Sequence, residues 1–331
     1  MTTHTITPAR VPGPDRARSW RSYLGYARSA GILFPFVILF VVISVSSSSF
    51  LTRTNLLDIL DQQAAILVMA AAGTLVLISG GLDLSVGATY SLAGVVAAQY
   101  AQHHSVVVAV LLALVTGLVI GIANGFISTV CRINPLITTL AMSYIVDGLA
   151  SRVTHGNLIV LTSQPGFAKI AQTEWLGVRT SIWIAVAAIV ILGVILSRST
   201  LGRYLYAAGG NPEAAHLAGV RVTGVRISAF AASGVAAALA GVIDTSRVLS
   251  AQSGSGDALS FTVLAGIVVG GTSILGGEGA MWRTIVGVLF IALVGNGFDL
   301  LGADPLYQQI TLGVILLLAV GMDALSRGWR R

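Results

Sequence analysis

Ten apolar runs, most near or above about 18 residues, recur along this chain. They lie at 30–50, 62–79, 84–101, 105–130, 135–151, 180–197, 225–247, 259–275, 284–301 and 305–323. Runs of that length match a helix crossing the hydrocarbon of a bilayer. The expected class is an all-α integral membrane protein with about ten transmembrane helices. The polar balance agrees. Charged residues make up 10% of the chain and its mean hydropathy is +0.87, whereas soluble domains average about 25% charged residues.

The basic residues orient the spans. With the N-terminus inside, the inner segments hold Arg10, Arg16, Arg18, Arg21, Arg28, Arg132, Arg198, Arg203, Arg221, Arg226, Arg283, Arg327, Arg330 and Arg331. The outer segments hold only Arg53, Arg152, Lys169, Arg179 and Arg247. That asymmetry follows the positive-inside rule and puts both termini in the cytoplasm. It also accounts for the net charge of +6 without nucleic acid as a partner. Residues 1–29 read as a retained cytoplasmic tail before a signal-anchor helix, with no cleavage site after the first run. A single membrane domain over 30–325 and a cytoplasmic tail at 326–331 complete the expected organisation.

An internal repeat is visible. Leu92-Ala93-Gly94-Val95-Val96 matches Leu264-Ala265-Gly266-Ile267-Val268 at an offset of 172, and Asn124-Gly125-Phe126 matches Asn296-Gly297-Phe298 at the same offset. Pro135-Leu136 matches Pro305-Leu306 within two residues of that register. In the ten-span topology the matched helices run in opposite directions, so the repeat is inverted, an arrangement common among transporters.

The longest inner loop, 198–224, carries Gly209-Gly210-Asn211-Pro212-Glu213-Ala214-Ala215, ending at Gly219. Asn211 suits an N-cap, Pro212 the first helical position, Glu213 the positive end of the helix dipole, and Gly219 a C-terminal stop. A capped helix of about seven residues is unstable alone and needs a surface to dock on.

Few residues offer chemistry. The single Cys131 excludes an intrachain disulfide and a cysteine metal cluster, and no His pairs with a carboxylate at metal spacing. Gly270-Gly271 and Gly276-Gly277 are not followed by Gly-Lys-Ser/Thr, so the chain lacks a phosphate-binding loop and has no means of using ATP by itself. No carboxylate or His stands clearly at mid-depth, which argues against a proton-driven secondary transporter. Neither is there a clustered set of catalytic groups. Asp83, in Gly-Gly-Leu-Asp-Leu-Ser-Val-Gly at 80–87 with Ser85, suggests broken backbone at membrane depth. Asn124 and Asn296 are candidates for a polar path, with helix–helix hydrogen bonding as the equal alternative. Asp147, Asp244 and Asp299 fall near outer helix ends, where structural pairing is favoured over solute contact. Asp244 stands one turn from Arg247.

Five stretches resemble the permease subunits of bacterial ATP-binding cassette sugar importers, in the ribose, xylose and galactoside branch. They are SGGLDLSVGATYSLAGVVAA (79–98), NPLITTLAMSYIVDGLA (134–150), GRYLYAAGGNPEAAHLAGV (202–220), GGTSILGGEGA (270–280) and NGFDLLGADPLYQQITLGVILLLAV (296–320). The resemblance implies a permease of the bacterial inner membrane that works with a second permease copy. Two ATPase subunits binding ATP and Mg, and a periplasmic or lipid-anchored sugar-binding protein, are the other implied partners. It makes 209–219 the coupling helix seated on the ATPase, with Glu213 facing a basic residue there. Asp83, Ser85, Asn124 and Asn296 become candidates for the translocation path. Asp147, Glu174 and Arg247 become candidates for docking the binding protein, although Asp147 stands where the family often has a basic residue. The implied cargo is a monosaccharide or related polyol, with a nucleoside or signalling sugar derivative as the alternative. Permease and lipid together would supply the surroundings; no cofactor is expected in the chain itself.

Overall fold

The computed structural model describes residues 31–328 other than 163; the tail expected at 1–29 and the end of the C-terminal tail lie outside the described residues. Thirteen helices dominate the described residues. They are α1 (Leu33–Ser46), α2 (Arg53–Ile78), α3 (Val86–Ala101), α4 (Val106–Thr129), α5 (Pro135–Thr154), α6 (Pro165–Gln172), α7 (Thr180–Arg198), α8 (Thr200–Gly210), α9 (Pro212–Leu217), α10 (Val222–Val248), α11 (Leu259–Val269), α12 (Met281–Leu300) and α13 (Pro305–Gly328). Four two-residue strands form two small ribbons. β1 (Ile159–Val160) pairs antiparallel with β4 (Ser250–Ala251), and β2 (Glu174–Trp175) with β3 (Val178–Arg179).

Among the described residues six helices, α2, α4, α5, α7, α10 and α12, are long and apolar enough to cross a membrane. Three other expected spans are shorter as helices. α1 has 14 residues, α3 16 and α11 11. Expected boundaries change with them: the run 259–275 is helical only to Val269, and the run 84–101 becomes helical only at Val86. In both cases the apolar run continues as irregular backbone, 79–85 before α3 and 270–280 after α11. The run 62–79 changes the other way. α2 begins at Arg53 and, at 26 residues, spans about 39 Å.

The inverted repeat is visible in the packing. Leu92–Val96 lies on α3 and Leu264–Val268 on α11, Asn124 on α4 and Asn296 on α12, and Pro135 and Pro305 each open a helix. The repeats exchange their first helices: α10 packs on α3 and α4, and α2 packs on α11 and α12. α2 ends where α10 begins, with the Arg226 guanidinium donating to Ser79 O at 3.0 Å, so these equivalent helices run in opposite directions. α4 and α10 touch through glycine. A Cβ on Gly117 would stand 2.2 Å from Gly234 O, and one on Gly234 2.0 Å from Gly117 O. Small residues that admit backbone-to-backbone contact are the usual helix seam in lipid. At the ends of α2, Thr74 Oγ1 and Thr284 Oγ1 lie 2.8 Å apart, and Asn55 and Asn296 exchange side-chain hydrogen bonds, fastening α2 to α12. The outward faces stay apolar and open, as at Val45 on α1 (84% exposed) and Leu317 on α13 (75%). Lipid or protein must cover them.

The end of the molecule opposite α9 is closed by the segment 155–179. α6 buries Phe167 and Ala171, and Ser246 of α10 donates to Phe167 O at 2.6 Å while accepting from Ala171 N. Asp61, only 2% exposed on α2, accepts from Ser181 and from Arg179 at 2.6 Å. The bond to Asp61 holds the Arg179 guanidinium above its ordinary pKa. Hydropathy alone begins this span after the charge, and so leaves Asp61 out. Removing one partner of a buried ion pair strands the other charge. Because the guanidinium is 45% exposed, Arg179→Leu should cost up to about 3 kcal/mol, the low end of the usual range. Thermal unfolding in detergent checks this: Arg179→Leu lowers the midpoint, and adding Asp61→Asn recovers part of the loss. Equal midpoints for all three proteins would show that the pair contributes nothing.

Candidate functional site

The capped helix forms as its residues dictate. The Asn211 side chain accepts from Ala214 N at 3.0 Å, Pro212 is the first helical residue, and Glu213 sits in the first turn. At the C-terminus Gly219, with φ +85°, donates to His216 O, and Val220 N donates to Ala215 O. These paired bonds are those of a Schellman cap. Six residues are helical, one fewer than the sequence suggested. Ala215 and Val220 turn inward and pack with Leu75, Ile78, Leu205 and Phe230. The other face of α9 is uncovered: Pro212, Glu213, Ala214 and His216 are exposed, and Leu217 is 83% exposed.

α8, which precedes it, is absent from the hydropathy reading, yet it is the element that joins α9 to the bundle. Ser199 caps it, accepting from Gly202 N at 3.0 Å. Its last turn touches both irregular segments, one from each repeat. Gly209 lies against Ile78 O and Gly277 N, and Gly276 lies against Gly80. Gly277 N donates to Ile78 O at 2.8 Å, so the two breaks are bonded to each other beneath Gly209. Gly80, Gly276 and Gly277 all have positive φ, of +81°, +89° and +75°, a conformation that disfavours any side chain. Tyr206 of α8 donates to Gly279 O at 2.9 Å, and burial pushes its hydroxyl pKa upward. Arg226 joins Ser79 O to Ala208 O, at 3.0 and 3.3 Å. Gly210, by contrast, directs its open side to empty space.

Further along the first break, side chains from α5 and α11 satisfy the irregular backbone. Thr139 accepts from Leu84 N and donates to Leu82 O, while Ser143 and Ser260 donate to Leu84 O. Asp83 accepts from Ser85 N at 3.0 Å, Ser85 Oγ at 2.6 Å and Ser233 Oγ at 2.8 Å. Asn124, fully buried, donates to Ser85 Oγ at 2.8 Å. Asp83, Ser85 and Asn124 thus form one connected cluster at the centre of the bundle. Asn296 does not join them; it pairs with Asn55.

The other candidate residues are dispersed. Arg247 donates to Asp244 Oδ1 from Nε and Nη2, at 2.9 and 2.6 Å, so the pairing expected for Asp244 forms. The pairing favoured for Asp147 and Asp299 does not form: among the described residues neither joins a salt bridge. Asp147 Oδ1 is buried with no hydrogen-bond partner among the described residues, and the charge that acts on it is another acid, Asp257. Glu174 is exposed in β2.

Residues 55–320 match the family described as branched-chain amino acid transport system / permease component. That region spans both breaks, α8 and α9. The chain belongs to this family. Among curated members, the ribose import permease protein RbsC of Escherichia coli K12 is 36% identical over 299 residues, covering 88% of this chain and 92% of the relative. Its namesake in Bacillus subtilis is 37% identical over 301 residues, 90% and 94% of the two chains. The L-arabinose ABC transporter permease protein AraH of Azospirillum brasilense is 33% identical over 328 residues, 98% and 95%. No solved structure matches the chain. Membership in the permease family makes this a multi-pass membrane transport subunit. Several residues that give the permease its junctions were not singled out as functional in the sequence. Leu217 was legible as an apolar residue on a polar helix, but Arg226 and Tyr206 carry no local signal, since their partners are remote in sequence.

Proposed function

We propose that this permease passes a monosaccharide or related polyol into the bacterial cytoplasm by ATP-driven alternating access. The observation that carries the reading is α9: a capped helix with an uncovered face, joined through α8 to both broken segments of the bundle. A chain without a phosphate-binding loop needs an external source of work, and α9 is where that work enters. Two ATPase subunits, with their ATP and Mg, dock on α9 from the cytoplasm, where both termini lie. A second permease copy completes the membrane assembly, and a periplasmic or lipid-anchored binding protein delivers the solute at the opposite end. That the similar permeases carry ribose and L-arabinose in their names supports a sugar over the amino acids named in the family description.

Copurification tests this. The tagged chain, expressed with the ATPase and binding protein of a sugar importer from the same organism, should retain the ATPase, and sugar-loaded binding protein should change its hydrolysis rate. Leu217→Glu places a charge on the exposed apolar residue of α9 and should lower ATPase retention at least tenfold, about 1.4 kcal/mol. Glu213→Arg should leave the membrane fold intact while uncoupling hydrolysis from transport. A chain that purifies without an ATPase, yet takes up solute in liposomes under an ion gradient, would make it a secondary transporter.

A further inference from the structure

At the end opposite α9, helices α3 and α10 diverge and leave a cavity of about 260 Å³. Its floor is a close contact between the two repeats: a Cβ on Gly94 would lie 2.6 Å from Thr245 Oγ1, and one on Gly241 would lie 2.2 Å from Tyr90 O. The polar lining is Tyr90, Asp244, Thr245, Ser250, Gln252 and Ser255. Tyr90 and Thr245 are 6% and 5% exposed, so this is a built wall and not a surface dent. The Tyr90 hydroxyl donates to Asp244 Oδ2, while Arg247 donates twice to Oδ1. Ser91 donates to Gln252 O at 3.0 Å and fixes the rim. One polar group is left over. The Thr245 hydroxyl makes no hydrogen bond to any described residue and lines the cavity, so it is free to bond whatever enters.

We propose that this pocket is an entry subsite for one neutral, polyhydroxylated solute of monosaccharide size. Three features select that chemistry. The volume falls just under the ~300 Å³ lower end of small-molecule sites, enough for a single sugar ring and too little for an oligosaccharide. The charges inside cancel, because the Asp244 carboxylate is held by Arg247 and Tyr90, so neither an anion nor a zwitterion finds a free counter-charge. The remaining groups are hydroxyls and an amide, which both donate and accept, as sugar hydroxyls do. The position adds a mechanical argument. A solute here lies in the seam between the repeats, where inverted-repeat transporters place their path. Its role in import rests on the importer reading above, whereas the binding itself does not require it.

The purified full chain in nanodiscs is titrated with D-ribose, L-arabinose, L-leucine and ribose 5-phosphate, with binding read by saturation-transfer NMR. The two sugars should give signal at millimolar concentration, and leucine and the sugar phosphate should not. Thr245→Val, which removes the unpartnered hydroxyl at constant volume, should weaken the sugar signal at least fivefold. Ser255→Trp, which fills the pocket from an exposed loop position, should abolish it while the size-exclusion profile stays unchanged. Absence of sugar signal in the wild type, signal unaltered in both variants, or displacement by leucine would each overturn the subsite. Failure of the importer reading shows elsewhere, as loss of ATPase retention, and leaves this binding result to be read on its own.

Discussion

Gly209→Ala is expected to abolish uptake by the reconstituted complex, and Gly210→Ala to leave it near the wild-type level. The two glycines are adjacent in sequence and end the same helix, but a methyl group meets opposite surroundings at each. On Gly209 the new Cβ would stand 1.8 Å from Ile78 O and 2.6 Å from Gly277 N. Both atoms are backbone, and they are the two ends of the hydrogen bond that holds the breaks together. A clash with the end of a flexible side chain relaxes cheaply; a clash with bonded backbone must move a segment. Overpacking a core costs typically about 1–3 kcal/mol, and this site belongs at the top of that range or beyond. On Gly210 the Cβ meets nothing within 4 Å, and alanine favours helix over glycine by up to about 1 kcal/mol. Thermal unfolding separates two ways for Gly209→Ala to fail. A midpoint several degrees lower, with no uptake, means that the junction is needed for the fold. A near-normal midpoint with ATP hydrolysis continuing and no uptake means that it transmits motion. Full uptake by Gly209→Ala would remove this junction from the mechanism.

The contrast between these glycines also marks how far sequence reading reaches. Helix α9 was legible because capping is local: the bonds at its two ends join groups three to five residues apart. The break at 80–87 was legible because glycine and aspartate interrupt an apolar run. The junction beneath Gly209 was not, since it brings together Ile78, Gly209 and Gly277, which no periodicity connects. Asp61 escaped for a related reason. A hydropathy window excludes a charge from a span, and the groups that make its burial tolerable, Arg179 and Ser181, lie about 120 residues downstream. The same holds for the shortness of α3 and α11. Irregular backbone survives at membrane depth only where remote side chains satisfy it, and Thr139, Ser143 and Ser260 announce that role only in three dimensions. Among the polar candidates, Asn124 and Asn296 were matched by the repeat but part company in space. One is enclosed with Asp83 and Ser85, and the other closes a helix pair with Asn55.

That enclosed cluster carries the second large effect. Asp83→Ala is expected to destabilise the permease by about 3 kcal/mol and stop uptake, whereas Asp83→Asn keeps most of both. Alanine removes an acceptor used by three donors, the backbone N–H and hydroxyl of Ser85 and the hydroxyl of Ser233. Ser85 and Ser233 are each 1% exposed, so water does not replace the lost carboxylate. A buried donor left unmade costs about 1–3 kcal/mol, and hydroxyls that can rotate toward a carbonyl recover part of that. Asparagine keeps one oxygen for Ser85, and its amide donates to a Ser233 hydroxyl turned to accept. The comparison therefore separates hydrogen-bonding capacity from charge. If uptake falls equally in both variants while Asp83→Asn unfolds at the wild-type midpoint, the negative charge itself serves transport. If only Asp83→Ala fails, the carboxylate is a brace, and its role follows from its place on the chain. Residues 79–81 lie against α8 and Arg226, and residues 83–85 are gripped by α4, α5, α10 and α11. On the proposed coupling through α9, a segment held at both ends would transmit displacement from α9 to the centre of the bundle; with Asp83 gone, its inner end would lose its hold and the same displacement would be dissipated before it arrives.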